Sequence, residues 1–156
     1  MLSSFVAAAL FQMPQTEVQA DWVRKDHSAR IAGKSNKYQT TAGMMPIRSK
    51  SGDIDGRMFF SYYKRTDVPG GSKRPVTFIF NGGPGSASVW LHLGFAGPKR
   101  PKMGTIEGFM PAPPYELVTN DESILPESDL VTIDPVGTGY SRPNKPEDGV
   151  KFWGVD

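Results

Sequence analysis

The clearest pattern of apolar and polar positions is at residues 76–90, Val-Thr-Phe-Ile-Phe-Asn-Gly-Gly-Pro-Gly-Ser-Ala-Ser-Val-Trp. Apart from Thr77, residues 76–80 are apolar and β-prone with no polar alternation, which predicts a short central strand covered on both faces, as in a parallel sheet. Asn81-Gly82-Gly83-Pro84-Gly85 cannot continue it: glycine opens backbone regions closed to other residues, and Pro84 fixes one torsion and donates no hydrogen bond. The chain turns here. Ser86 or Ser88 is then placed to cap a helix carrying Val89, Trp90, Leu93 and Phe95, which Gly97-Pro98 ends.

Upstream, residues 29–32 and 37–41 flank Gly33-Lys34-Ser35-Asn36 and predict a first hairpin. Residues 44–48 and 57–64 flank a polar, Gly-containing connection and predict a second, longer one. Residues 66–75, with Pro69-Gly70-Gly71-Ser72, read as an exposed turn. Downstream, residues 98–128 are proline-rich and aperiodic, which predicts a long surface connection. Leu130-Val131-Thr132-Ile133 is a second buried-type strand, running into Asp134-Pro135-Val136-Gly137-Thr138-Gly139-Tyr140-Ser141, and residues 152–155 read as the opening of another helix. Two such strands joined through a helix make a right-handed parallel crossover, with both glycine-rich loops at the carboxyl ends where open α/β sheets bind ligands.

Composition narrows the function classes. The chain has 156 residues, 38% of them hydrophobic, and a net charge of +2, which fits one soluble globular domain. Its basic residues are scattered rather than striped, so nucleic-acid binding has little support. There is no cysteine, which excludes disulfides and thiolate chemistry, and His27 and His92 stand too far apart for a histidine metal cluster. No metal or cofactor is expected. Residues 1–20 hold a short apolar run, 5–11, and end Val18-Gln19-Ala20, which reads as a secretory signal, although no Lys or Arg precedes the run. That reading implies a secreted or periplasmic protein, with residues 21–156 forming the folded part.

The chemistry lies in the loop after Phe80. Bare Gly-Gly amides between a strand's carboxyl end and a helix start can meet developing negative charge, whereas the bland reading is a tight turn. Other candidates are weaker. Gly33-Lys34-Ser35 lacks the upstream glycine of a phosphate loop, position 28 being Ser, and Asp53 and Asp55 lack the remaining ligands of a calcium loop. Ser88 and His92 stand one helical turn apart and could form a dyad, but nothing in the sequence orients the imidazole.

Asn81-Gly82-Gly83-Pro84-Gly85-Ser86, then Ser88, Trp90, Gly97-Pro98, Asp129-Leu130-Val131 and Asp134-Pro135-Val136-Gly137-Thr138-Gly139-Tyr140-Ser141, resemble the amino-terminal part of serine carboxypeptidases from about residue 30 onward. The resemblance implies an α/β class protein: the amino-terminal part of an α/β-hydrolase fold, with antiparallel hairpins leading into a mainly parallel sheet. It also implies that Asn81 and the Gly82 N–H hold the terminal carboxylate of a peptide substrate, that the Gly83 N–H meets the oxyanion, and that Gly85, Gly137 and Tyr140 support the site. Asp134 is then a strand-end residue rather than the catalytic acid, and Ser141 joins Tyr140 in a buttressing loop. Ser86 stands where many eukaryotic members carry a disulfide-bonded cysteine, so the resemblance is to a bacterial-type member.

No Gly-x-Ser-x-Gly pentapeptide occurs, and neither histidine follows a plausible acid in the order that α/β-hydrolases use. The sequence therefore reads as roughly the first third of an enzyme, truncated before the nucleophile strand and inert alone. One edge of the strand at 76–80 should be bare and prone to association. The alternatives are another α/β-hydrolase, such as an aminopeptidase or acyltransferase, and a non-catalytic peptide-binding module.

Overall fold

The computed structural model describes residues 22–70, 73–82, 85–104 and 111–154. The proposed signal segment, Gly71, Ser72, Gly83, Pro84, and residues 155 and 156 lie outside them. The elements in order are β1 (Trp22–Ile31), β2 (Lys34–Arg48), β3 (Ile54–Arg65), β4 (Val76–Ile79), α1 (Val89–Leu91), a π turn (His92–Ala96), β5 (Lys99–Pro101), β6 (Leu117–Thr119), β7 (Asp129–Ile133), β8 (Arg142–Pro143) and a 3-10 helix (Pro146–Phe152).

The main sheet has the order β1-β2-β3-β7-β4, with β8 beside β3, and β5 and β6 form a separate ribbon. Both expected hairpins are present and share one strand, because β2 runs through 15 residues and pairs antiparallel with β1 and β3. The first turn is tighter than the sequence implied: Ala32 and Gly33 alone make it, at φ 46° and 76°, a twist that suits two-residue hairpins. β4 and β7 pair in parallel, Val76 beside Asp129 through Ile79 beside Thr132, and β4 forms the edge of the described sheet.

The core lies on one face of this sheet. Ile31, Tyr38, Ile79, Leu130, Ala96 and Leu125 form it, joined by Tyr63, Leu91 and Ile124. The other face corrects the expectation that β4 is covered on both sides. Val76 and Phe78 are 45% and 59% exposed, and with Met45, Phe60, Tyr62, Val131 and Ile133 they line an open apolar hollow of about 310 Å³. Apolar residues on both sides of a strand signal burial only if the chain supplies a layer for each, and the described elements supply one.

The predicted helix is also shorter than expected. α1 makes one turn and then widens, with the Gly97 N–H donating to the His92 carbonyl at 2.8 Å. A side chain at Gly97 would overlap that carbonyl, so glycine is what lets the wide turn close. Residues 98–128 were expected to be a surface connection, yet Leu125 is fully buried. The Asn120 amide donates to the Phe95 and Gly97 carbonyls at 2.7 and 2.9 Å, and the Ser123 hydroxyl donates to the Ala96 carbonyl at 2.7 Å. These bonds satisfy the carbonyls that a helical end leaves free, which draws the segment inward. Near the end of the chain, the helical turn occupies Pro146–Phe152 rather than starting at 152, with Pro146 in its first turn where a missing N–H costs nothing.

Candidate functional site

The loops that follow β4 and β7 meet at the carboxyl ends of these two parallel strands. Between them lies a cleft of about 460 Å³ lined by Asn81, Gly85, Ser86, residues 135–138, Phe152 and Trp153. Asn81, Gly85 and Gly137, singled out from sequence, thus share one cleft. Gly82 adjoins Asn81; it is exposed, and a side chain built on it would meet nothing within 4 Å. Among the described residues its N–H has no hydrogen-bond partner. Gly83 lies outside the described residues. Tyr140 does not line the cleft: it is 73% exposed, with its ring 5.2 Å from that of Phe59.

The Asn81 side chain is oriented by its neighbours. Its amide nitrogen donates to the Ser86 hydroxyl at 2.8 Å, and among the described residues its second hydrogen has no partner, so it can meet a ligand oxygen. The helix that follows is too short to add much dipole, so the polarity of the site comes from amides rather than from a long axis.

Ser88 takes the expected N-cap position of α1, but its side chain makes no capping bond to the helix. Ser88 is buried at its start, where its N–H donates to Asp134 Oδ1 at 2.9 Å and its hydroxyl donates to the Ile133 carbonyl while accepting the Asn81 N–H. The Asn81 N–H occupies the acceptor site on the Ser88 hydroxyl that the helix's own amides would otherwise use. Ser141 is likewise interior: it donates to the Asp134 carbonyl at 2.6 Å and accepts the Phe59 N–H at 2.8 Å.

This geometry removes the Ser88–His92 dyad. The Ser88 hydroxyl points to Ile133, and His92 Nε2 lies 2.6 Å from the Tyr63 hydroxyl. Burial pushes the Tyr63 hydroxyl up to about 12, with Tyr38 adding to the effect. Burial holds His92 below its usual value, while the nearby Asp134 charge pulls the other way. Asp53 accepts from Ser51 in an exposed turn, the bland reading of that acidic pair.

Sequence reasoning missed the aromatic wall of the cleft, Phe152 and Trp153. The Trp153 indole lies against Gly137, within 3.1 Å of where a side chain there would begin. The only signal for it was a pair of large aromatics shortly after a proline.

The serine carboxypeptidase family model matches residues 14–152. The pheromone-processing carboxypeptidase KEX1 of Saccharomyces cerevisiae strain S288c is 32% identical over 126 residues, covering 78% of this chain and 16% of that protein. The KEX1 protein of strain JAY291 matches to the same extent. Among solved structures, the crystal structure of KEX1(delta)p, a prohormone-processing carboxypeptidase from S. cerevisiae, matches with a TM-score of 0.52 at 34% identity, covering 70% of this chain and 22% of that one. The chain therefore spans less than a quarter of the length of these relatives. With the family model matching most of this chain and a mixed sheet similar to that of a solved member, the chain belongs to the serine carboxypeptidase family.

Proposed function

We propose that this chain is the amino-terminal part of an α/β-hydrolase-type serine carboxypeptidase, which removes carboxy-terminal residues through an acyl-enzyme. The serine, histidine and aspartate of its triad would lie outside these 156 residues. In this reading Asn81 and the Gly82 N–H bind the free carboxylate of the peptide, and the Gly83 N–H serves the oxyanion. The absence of cysteine favours a bacterial-type member, and residues 1–20 an exported one.

The observation that carries the proposal is the pairing of Asn81 with a Gly82 N–H that has no partner among the described residues, beside an open cleft at the ends of two parallel strands. An amide side chain with one free hydrogen and a backbone N–H with no side chain over it suit a carboxylate's two oxygens. The KEX1 relatives are described as carboxypeptidases, which fits a peptide with a free carboxyl end.

The complete protein should cleave a peptide with a free carboxyl terminus and spare its amide. Asn81→Ala should lower kcat/KM on the free acid by roughly 10- to 100-fold, mostly through KM, since it removes a hydrogen bond to a charged group. Equal cleavage of acid and amide would refute the carboxylate role and favour another α/β-hydrolase activity.

A further inference from the structure

We propose that Asp134 is a positioning residue for the substrate-binding loop: its buried carboxylate holds Ser88, and through Ser88 the backbone of Asn81, at the height set by the end of β7. The inference deepens the carboxylate-binding reading of Asn81 and Gly82 and rests on it. Asp134 itself touches no substrate in this scheme.

Four observations converge on it. Asp134 is 8% exposed, and its Oδ1 accepts the Ser88 N–H at 2.9 Å, across 46 residues of sequence. Ser88 accepts the Asn81 N–H at 3.2 Å on the hydroxyl whose hydrogen goes to the Ile133 carbonyl, the residue before Asp134. One serine thereby links the start of the glycine loop to the end of the neighbouring strand by three hydrogen bonds. The backbone of Asp134 is fixed in turn, its N–H donating to the Phe59 carbonyl at 3.0 Å and its own carbonyl accepting from Ser141 at 2.6 Å. Finally, Gly139, at φ 47°, packs so closely that any side chain there would overlap Asp134 Oδ2. The carboxylate thus has room only because residue 139 is glycine, and the Ser88 N–H holds its other oxygen. A backbone N–H bonded to a buried serine sits where that serine is held, so the position of Asn81 depends on this tie.

The test uses the complete protein labelled with ¹⁵N, probed with N-acetylphenylalanine and with its carboxamide. In Asp134→Ala the Ser88 amide should exchange about tenfold or more faster. The Asn81 and Gly82 resonances should shift and lose their response to N-acetylphenylalanine, while those of β1–β3 keep their dispersion. Asp134→Asn should rescue both, because an amide oxygen still accepts the Ser88 N–H. Gly139→Ala should reproduce the alanine phenotype by displacing an intact carboxylate, which keeps the test decisive if Asp134→Ala fails to fold. Unchanged Asn81 and Gly82 resonances and unchanged ligand response in both disruptive variants would overturn the proposal, as would loss in Asp134→Asn equal to that in Asp134→Ala. If wild-type protein responds to acid and amide alike, or to neither, the carboxylate reading fails. The shifts of Asn81 and Gly82 in the variants still decide the positioning role.

Discussion

Asp129, 5% exposed at the head of β7, accepts from three donors: Arg74 Nε at 2.9 Å, the Arg65 N–H at 3.2 Å and the Tyr62 hydroxyl at 3.4 Å. Arg74 also donates to the Leu125 and Pro126 carbonyls, so one ion pair anchors the partly buried 120–128 segment to the sheet. Removing one partner of such a pair leaves the other charged and unpaired, and Asp129→Ala should cost about 3–5 kcal/mol in urea denaturation. His92 sets a pH dependence. Its folded value lies below its unfolded value near 6.5, so its contribution to stability is complete above that pH and is lost as pH falls through the folded value. His92→Gln should flatten the fall in denaturation midpoint between about pH 7 and 5. At this scale the sequence announced Asn81 and its glycines, because a run of backbone-permissive residues is visible by type. It could not announce Ser88, since a capping serine and one buried under a strand end look the same.

The elements show where local signals suffice. The hairpins follow from alternation and turn residues, and only their limits moved. Ala32 is the exception within them, a non-glycine residue at positive φ. It is exposed, and type I′ turns favour asparagine there, so Ala32→Asn should stabilise the chain by about 0.5–1 kcal/mol by the same measurement. An unchanged midpoint would mean that the alanine carries no strain. The helical segment was less legible, because its apolar spacing fits both a regular α-helix and the single turn plus π turn that form. The side chains of Asn120 and Ser123 stabilise the wide ending from a distance of more than 20 residues in sequence.

Across the molecule, one face of the sheet is packed and the other presents Phe78 and Phe80 at 59% and 62% exposure, next to an edge of β4 that no described strand pairs. An apolar strand edge beside an apolar face favours self-association. The chain in isolation should therefore form concentration-dependent oligomers in light scattering, and Phe78→Lys should shift it toward monomer without lowering its melting temperature. Insensitivity to that change would place the association elsewhere. Among the described residues no helix is long and apolar enough to cross a membrane.

The sequence by itself determined what depends on neighbours in the chain: the two hairpins, the strand–glycine turn–helix passage at 76–90, and the resemblance that two ordered glycine motifs carry. Tertiary structure decided which distant groups meet. It brought Phe152 and Trp153 to the cleft of Asn81, tied Ser88 to Asp134, paired Arg74 with Asp129, and left one face of β4 open. Torsional preferences and periodicity act over a few residues and leave a trace in the text of the chain. Contacts between groups 46 or 55 positions apart depend on how strands are ordered, and no local pattern records that.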